Sequence, residues 1–403
     1  MRTLRPDFYE RFHCIGGKCT DTCCAGWEIE VDPQTAEAYR QMNTPLGREI
    51  AGSCEEDSEG IWFRMTEDGR CPFLNAQGLC RIILQCGEGA LCDICREHPR
   101  FYNWCADRTE VGLGLSCEEA VRLLFDRTEP IRFLEEDDGE PAEPDAEDGI
   151  FALRNEAFRI VQDRAVPITE RISRLLDFAA DVQKYSGAPD PDRKETPSEV
   201  GEEDSIVPDP EVVSLQQILD RFRQLDLMTE EMPRMLEQAQ SRADEVLREA
   251  PQIPECGEND TEFLLTYFLY RYFGQCAEDG QVLDKVQFGV CSVCMIRLLS
   301  VTESLISGTP ASEALTERQE RPMQAGSERF RDSTAENRKG NAPCADRISA
   351  EIRNNVVRIY SKEIEYCEEN VDALLQMAHT EEAFGAESLK RLAARLVPAE
   401  GSL

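Results

Sequence analysis

"HCIGGKCTDTCCAGWEIEVD", residues 13–32, places four cysteines within eleven positions: Cys14, Cys19, Cys23 and Cys24. Cys23 and Cys24 are adjacent, and a disulfide between two neighbours would close a small ring that strains the planar peptide bond. A metal ion or a metal cluster, by contrast, can use both thiolates. The choice between disulfides and a metal site therefore decides how this stretch folds.

The distribution of the cysteines favours a metal site. Twelve of the eighteen lie in residues 14–117, and the other six are scattered over the rest of the 403-residue chain. The first residues, MRTLRPDFYERF, lack the apolar segment and the cleavage site of a secretory signal. Reduced thiols are therefore expected, and a chain of this length needs no disulfides to supplement its core. We interpret the protein as cytoplasmic, with a metal-binding or catalytic cysteine cluster.

Charge and hydropathy restrict the partners. The formal net charge is −35, from 79 acidic and 44 basic residues, and such a surface repels nucleic acid and anionic membranes while it attracts cationic partners. No run approaches the roughly 18 uninterrupted apolar residues of a membrane span. The two most apolar segments, 262–273 and 286–301, are interrupted by polar or charged residues and are expected to be core helices. The sequence predicts neither nucleic-acid binding nor a membrane-spanning segment.

The composition along the chain predicts a mainly α protein in which a cysteine-rich metal-binding module with few short strands precedes a helical domain. The module is expected over residues 1–133 and the helical domain over 150–403. Between them, LEEDDGEPAEPDAEDG (134–149) carries nine carboxylates and no basic residue, which is typical of a solvated linker. Two polar stretches, 186–210 and 308–346, are expected to be flexible.

Hydrophobic periodicity supports this division. WEIEVD (27–32) and GIWFRM (60–65) alternate as strands do. Apolar residues at helical spacing mark an amphipathic helix, namely Leu215, Ile218, Leu219 and Phe222. A second helical stripe runs from Ile352 to Leu374, and the acidic residues that border it are expected to face solvent, namely Glu363, Glu365 and Glu368. Cys291 and Cys294 lie in an apolar helix and are expected to be buried thiols.

The spacing of the remaining cysteines predicts metal binding without choosing the metal. Cys71 and Cys80 bound CPFLNAQGLC, and further cysteines follow at Cys86, Cys92, Cys95, Cys105 and Cys117. Thiolates are soft ligands that suit zinc or iron–sulfur clusters, and four of them satisfy either. The spacings match no standard zinc finger, and the Cx3Cx2C motif of radical S-adenosylmethionine enzymes is absent from the sequence. The cysteine spacing therefore does not decide whether the site binds zinc or an iron–sulfur cluster.

Five segments taken together resemble the flagellin lysine-N-methylases, a family with a CxxCxxCC-type module described as zinc- or iron-chelating. They are FHCIGGKCTDTCCAGWEIEVD (12–32), CPFLNAQGLCRI (71–82), CREHPRF (95–101), GLGLSCEEAVRLL (112–124) and RIYSKEIEYCEENVDALL (358–375). The resemblance implies a protein-lysine N-methyltransferase that transfers methyl groups from S-adenosylmethionine to lysine side chains of flagellin. It also implies a cysteine-held [4Fe–4S] cluster, with zinc as the alternative metal.

Matching positions to the family motif gives eight candidate metal ligands: Cys14, Cys19, Cys23, Cys24, Cys71, Cys80, Cys95 and Cys117. Cys19, Cys23, Cys24 and Cys95 rank first, because the broader chelating module shares them. Eight thiols exceed the four that one cluster needs, so either some of them only pack or a second metal is bound. Cys54, Cys86, Cys92 and Cys105 do not match the family pattern. The resemblance assigns no catalytic residue and no S-adenosylmethionine pocket, since no GxGxxG motif follows a strand.

Other residues near the thiols have supporting roles in this interpretation. Trp27 is expected to pack over the metal site and to exclude water from it. His98 and His13 are expected to hydrogen-bond to metal ligands or to lie at helix ends rather than to bind metal themselves. Arg96 and Arg100 either offset cluster charge or pair with carboxylates.

Two rival functions remain at this point. One is a non-enzymatic iron–sulfur or zinc-binding sensor with a partner-binding helical domain, and the other is a metal-dependent enzyme with a different substrate. The sequence gives no indication of the oligomeric state.

Overall fold

The fold was analysed in a computed structural model, which describes residues 2–105, 108–137, 148–186, 209–308 and 347–398. Helices dominate these residues, and the strands have three to six residues each. The predicted fold class, mainly α with few short strands, is confirmed.

Six strands form two sheets in the described residues: β1 (Arg2–Pro6), β2 (Cys54–Glu56), β3 (Ile61–Phe63), β4 (Arg100–Trp104), β5 (Arg108–Leu113) and β6 (Phe133–Asp137). The larger sheet has the order β4-β5-β1-β6. Strand β1 pairs in parallel with β5, with Thr3 opposite Thr109, and antiparallel with β6, with Thr3 opposite Glu136. β2 and β3 form a separate hairpin. The cysteine-rich segment is therefore inserted in the chain between β1, which ends at Pro6, and β4, which begins at Arg100.

The α-helices follow in chain order: α1 (Pro33–Gln41), α2 (Pro45–Ser53), α3 (Arg81–Cys86), α4 (Asp93–Glu97), α5 (Glu118–Phe125), α6 (Asp148–Val161), α7 (Ile168–Ser186), α8 (Pro210–Phe222), α9 (Glu231–Ser241), α10 (Ala243–Glu249), α11 (Asp260–Tyr272), α12 (Cys276–Asp279), α13 (Val282–Gly308), α14 (Ala350–Tyr360), α15 (Glu368–Thr380) and α16 (Ala386–Leu396). Short 3-10 turns include Gly16–Lys18, and a π-helix, Ser361–Glu365, joins α14 to α15.

Helix α13 is the centre of the larger core, and helices α7, α9, α11, α14, α15 and α16 surround it. It is long and apolar enough to cross a membrane by length and composition, yet 78% of its most apolar window is buried inside the protein. Cys291 and Cys294 are both buried in it, which confirms the expectation of buried thiols. The predicted helix with Leu215, Ile218, Leu219 and Phe222 is also confirmed as α8, with these four side chains fully buried.

A second, smaller core lies in the cysteine-rich segment. Its buried residues include Ile29, Tyr39, Ile50 and Phe73, and they pack with the buried thiols of Cys71 and Cys92. Phe8, Phe12 and Leu113, by contrast, belong to the larger core of the helices. We call residues 24–95 the small-core region and the larger core with its helices the helical body. The predicted domain boundaries at 133 and 150 stay a prediction, because packing alone does not define an independently folding unit.

The larger sheet is attached to the helical body by a buried ion pair. Glu110 of β5 and Arg154 of α6 are both almost fully buried, and Arg154 Nη1 donates to Glu110 Oε2 at 2.6 Å. Since an unpaired buried charge is costly, this pair keeps the sheet and α6 in one arrangement.

Several sequence expectations differ from the structure or lie outside it. Residues 134–137, expected in the acidic linker, belong to β6, in which the side chains of Glu135 and Glu136 are exposed. WEIEVD forms only an isolated bridge between Glu30 and Trp62, whereas GIWFRM contains β3. Residues 148–149 of the predicted linker begin α6. Its residues 138–147 and most of the two stretches expected to be flexible, 187–208 and 309–346, lie outside the described residues.

Candidate functional site

A single cavity of about 640 Å³ brings the candidate ligands together. Its wall contains all eight predicted cysteines and one more, Cys92. Cys54, Cys86 and Cys105 do not line it. Sequence reasoning missed Cys92, although its two-residue spacing from Cys95 was a signal that both thiols could face one site.

The loop with Cys14 and Cys19 reaches this cavity through a tight glycine turn. Gly16 and Gly17 form a 3-10 turn, and a Cβ atom on Gly17 would lie 2.6 Å from the carbonyl oxygen of Gln77. Only glycine permits this close approach of two backbones. Beyond the turn, the backbone N–H and the hydroxyl of Thr20 donate to Glu118 at 2.7 and 2.8 Å. These contacts hold the loop beside the first turn of α5.

Cys117 precedes Glu118 at the start of α5 and is therefore next to that loop. The backbone N–H groups of Glu119 and Ala120 donate to its sulfur, although burial still raises the pKa of Cys117. Burial also raises the pKa of Cys19 to about 12, and negative charge on Cys117 and Cys14 adds to that effect. Such thiols are protonated unless a cation binds, so the crowding favours a positively charged occupant.

Five of the cavity cysteines pack in the small core, namely Cys24, Cys71, Cys80, Cys92 and Cys95. The backbone N–H of Cys71 donates to the carbonyl oxygen of Cys24 at 2.7 Å, and Leu74 forms a bridge with Cys80. Burial raises the pKa of Cys71 to about 12, with smaller contributions from Cys24 and Cys80. Cys95 completes the set, and its thiol shares a hydrogen bond with Cys92 that lowers the pKa of Cys92.

The adjacent cysteines connect these two sides. A hydrogen bond from the Cys23 thiol lowers the pKa of Cys24 to about 6, while the same contact raises the pKa of Cys23. The Cys24 thiol therefore forms a thiolate more readily than the Cys23 thiol does. Thiolates are the form that binds metals.

An aromatic wall closes one side of the cavity. Trp27 has its ring centroid 5.5 Å from that of Tyr366 and 5.7 Å from that of His98. The indole N–H of Trp27 donates to the carbonyl oxygen of Cys23 at 2.8 Å, which places the ring beside the thiols as expected. Burial, with the charge of nearby Lys362, lowers the pKa of His98 to about 4. His98 is therefore neutral at physiological pH and a weak base, which favours a packing role.

The π-helix joins the helical body to this wall. Lys362 lies 5.0 Å from the centre of the Trp27 ring and donates to the carbonyl oxygen of Ala25 at 3.3 Å. Gly26 has φ of +83°, and a Cβ atom on it would lie 2.9 Å from Lys362 Nζ. Arg358, one turn earlier, forms an ion pair with Asp21. We call these contacts of Lys362 and Arg358 the clamp, because they attach the residues around Cys23 and Cys24 to the helical body.

The expectation that Glu363 and Glu365 face solvent is wrong. Both are buried, because the π-helix shifts the helical register at this point and turns them inward. Glu363 accepts a hydrogen bond from the backbone N–H of Met228 at 2.6 Å. Glu365 accepts from the Tyr267 and Tyr272 hydroxyls at 2.8 and 3.1 Å. Glu368 is exposed, as expected.

The two arginines near the thiols have different partners. Arg96 forms an ion pair with Asp93 on the same helix turn. Arg100 donates to the Tyr9 hydroxyl at 2.9 Å instead. Arg96 thus matches the expected pairing with carboxylates.

The donor set fits either of the two candidate metals by donor type. Within the residues that the structure describes, no group of three or more His, Cys, Asp or Glu side chains is arranged as a metal site. Zinc takes four thiolates at about 2.3 Å, and an iron–sulfur cluster takes four thiolates that bind its separate iron atoms. The nine thiols of the cavity are enough for either group.

Curated relatives share a stretch of 133 residues with this chain, 31% of its length. The lysine-N-methylases of Salmonella typhimurium and Salmonella choleraesuis are 31% and 30% identical over this stretch, which spans 33% of each of these proteins. The flagellar biosynthetic protein FliU of Salmonella muenchen is 30% identical, and the match spans 79% of its length. The chain thus matches only a third of the length of the lysine-N-methylases. No family model and no solved structure matches.

Proposed function

The chain belongs to the family of the flagellar biosynthetic protein FliU and the lysine-N-methylases, and on this premise we propose that it is a protein-lysine N-methyltransferase that modifies flagellin. One observation carries the proposal. In a chain related to lysine-N-methylases, nine cysteines and an aromatic wall line one cavity that is large enough for a small molecule. The methyl donor is S-adenosylmethionine, and the reaction takes place in the cytoplasm, where thiols stay reduced.

Methyl transfer breaks the bond between a sulfonium sulfur and its methyl carbon and forms a bond from that carbon to the lysine nitrogen. The attacking amine must first lose its proton, since an ammonium ion has no free electron pair. S-adenosylmethionine supplies the electrophilic methyl group on a positively charged sulfur. The rings of Trp27 and Tyr366 can stabilise that charge, and Glu28 and Glu118 contribute carboxylates to the same cavity.

The cavity can also lower the pKa of a substrate lysine. An apolar surrounding disfavours the charged amine, and Lys362 on the cavity wall adds a positive charge that repels a second ammonium ion. Both effects favour the free amine, whereas the carboxylates of Glu28 and Glu118 favour the ammonium ion. The net charge of −35 attracts a lysine-bearing protein surface to the enzyme before a lysine enters the cavity.

The proposed cofactor is a cysteine-held iron–sulfur cluster, with zinc as the alternative. Its ligands come from the cavity thiols, which fit it by donor type and by partial burial. Such a cluster would fix the thiol loops and adjust the local charge. The chain's own residues orient the substrate beside it.

A labelling experiment tests the proposal. Protein purified without oxygen is incubated with methyl-labelled S-adenosylmethionine and flagellin, and the label is located by mass spectrometry. We expect label on lysine side chains of flagellin. The variant W27L should lose most of the activity, whereas W104L should retain it, because Trp104 is 76% exposed on β4 and lies outside the cavity.

Two outcomes would redirect the interpretation. Flagellin without label, from protein that retains its metal, would favour a non-enzymatic metal-binding sensor. Label on other proteins but not on flagellin would keep the methyltransferase and replace the substrate.

A further inference from the structure

Exposed apolar side chains gather at the mouth of the cysteine-lined cavity. Among the residues that the structure describes, eight large hydrophobic side chains are exposed, and four of these also line the cavity: Ile83, Leu84, Ile94 and Met228. A side chain that lines a cavity and is exposed at the same time lies at its opening. We call these four residues the apolar rim.

We propose that the apolar rim selects the lysine to be methylated by binding the apolar side chains beside it, so that the substrate is a protein segment in which aliphatic residues flank a lysine. This inference rests on the proposed function and adds to it which lysines the enzyme accepts. Exposed apolar surface that is gathered in one place marks a site of interaction, whereas scattered apolar residues do not.

Helices α3 and α4 form one side of the rim. The sequence of α3, RIILQC, has three aliphatic residues in a row. Ile82 is buried and packs in the small core, whereas Ile83 and Leu84 are 38% and 58% exposed. In α4, Ile94 is 49% exposed. Packing of the small core therefore accounts for Ile82 but not for the three apolar residues of the rim.

Met228 comes from the helical body, in the segment before α9, and its backbone is fixed. Its backbone N–H donates to the carboxylate of buried Glu363 at 2.6 Å. The backbone N–H of Asp226 donates to the side-chain oxygen of Asn370 at 2.9 Å, and Asn370 Nδ2 donates to the carbonyl oxygen of Asp226 at 2.7 Å. The exposed Met228 side chain thus stands on an ordered backbone, so a partner that covers it loses little conformational entropy. A methionine also adapts to side chains of different shape.

The charge at the mouth determines which partner fits the rim. Glu28 and Glu88 line the cavity and are exposed, like the rim itself. They attract a cation, whereas the net charge of −35 repels a second copy of this chain and an anionic membrane. A lysine with aliphatic neighbours meets both requirements, since the carboxylates attract its ammonium group and its neighbours cover the rim. Long-range attraction does not distinguish one surface lysine from another, so the apolar contacts provide the selectivity.

Two peptides test the proposal. They are identical except that leucine stands on both sides of a single lysine in one peptide and serine does so in the other. The full chain, loaded with iron and sulfide without oxygen, methylates each peptide with S-adenosylmethionine as donor. We expect the KM of the leucine peptide to be at least about tenfold lower at similar kcat, because each methylene group that the rim buries strengthens binding.

A double variant of the rim connects this preference to the structure. L84S/I94S should remove the difference in KM between the two peptides. V213S is the matched control and should keep it, since Val213 is exposed on α8 and lies outside the cavity. Circular dichroism shows whether both variants fold. Equal KM values in the unmodified chain, or a difference that persists in the folded double variant, would overturn the proposal.

Binding measurements separate this proposal from the proposed function. If neither flagellin nor either peptide is methylated, the proposed function fails, and fluorescence anisotropy of dye-labelled peptides then measures their affinities directly. Tighter binding of the leucine peptide that is lost in L84S/I94S would support the rim. Equal affinity of the two peptides, including no binding of either, would overturn it. A dimer of the unmodified chain in sedimentation velocity that the double variant lacks would assign the rim to a second copy and overturn the proposal as well.

Discussion

The helical body and the small-core region are built on different principles. The body buries long helices around α13, whose residues from Val282 to Thr302 are all buried. The small-core region has four helices of five to nine residues, α1 to α4, and a hairpin of two three-residue strands. Elements this short do not hold together by their own apolar surface, since small cores are marginal without staples. The comparison teaches that the thiols of this region are structural parts of its core as well as candidate ligands.

Removal of the metal should therefore have the largest effect, and it should be confined to one region. A chelator with a reductant should unfold residues 24–95, because buried thiols without a cation leave the small core incomplete. Hydrogen exchange with mass spectrometry should show complete loss of protection in this range and retained protection in Val282–Gly308. Equal loss in both regions, or in neither, would remove the distinction between them.

A substitution that creates a cavity in the larger core should have the second-largest effect. It should destabilise the helical body rather than the small-core region. Leu298 is fully buried in α13, and L298A should lower the free energy of unfolding of the helical body by about 2–5 kcal/mol. Urea denaturation followed by circular dichroism measures this loss. V213A, on an exposed position of α8, should change stability by less than about 0.5 kcal/mol. Iron content should stay unchanged in both variants.

The sequence allowed the elements with strong local patterns to be predicted. The apolar spacing of α8 and the buried thiols of α13 depend only on nearby residues, and the resemblance identified eight of the nine cavity cysteines. The larger sheet was missed because β1 pairs with β5 about a hundred residues away. A short strand has no periodic signal strong enough to reveal a partner at that distance.

Two further errors have local physical causes. Residues 134–137 of β6 were interpreted as the start of a linker because their sequence, LEED, is rich in carboxylates, and Glu135 and Glu136 are indeed exposed on this strand at the edge of the sheet. Glu363 and Glu365 were placed in solvent because a regular α-helix was assumed. The π-helix changes which residues face inward, and the residue pattern does not predict a π-helix at this position.

The junction between the two regions should be sensitive to one glycine. G26A would force an alanine into the left-handed region at φ of +83°, which costs about 1–2 kcal/mol, and would press its Cβ against Lys362. Hydrogen exchange should become faster in the small-core region only. G52A is the matched control, since the added Cβ meets no atom within 4 Å and should stabilise α2 by about 0.5–1 kcal/mol. Identical behaviour of the two variants would contradict the proposed clamp.

Loss of the lysine in the clamp should have the smallest effect of the four. K362M removes the charge that faces the Trp27 ring and should cost about 0.5–1 kcal/mol, again detected as faster exchange near residues 24–27. K390M removes a lysine that pairs with Asp177 and Glu387 in the helical body, and it should leave exchange in the small-core region unchanged. A larger effect of K390M on that region would mean that the π-helix is not the junction.

The parallel pairing of β1 with β5 also determines the order in which the chain folds during synthesis. A ribosome adds about 5–20 residues per second, so β1 waits several seconds for its neighbour while the whole cysteine-rich segment emerges between them. During this interval the strand has unpaired N–H and C=O groups that can bind other chains. All the cavity cysteines except Cys117 precede β5 in the sequence, so they are synthesised before this strand. The thiols that line the cavity, apart from Cys117, are therefore all synthesised before the sheet can form.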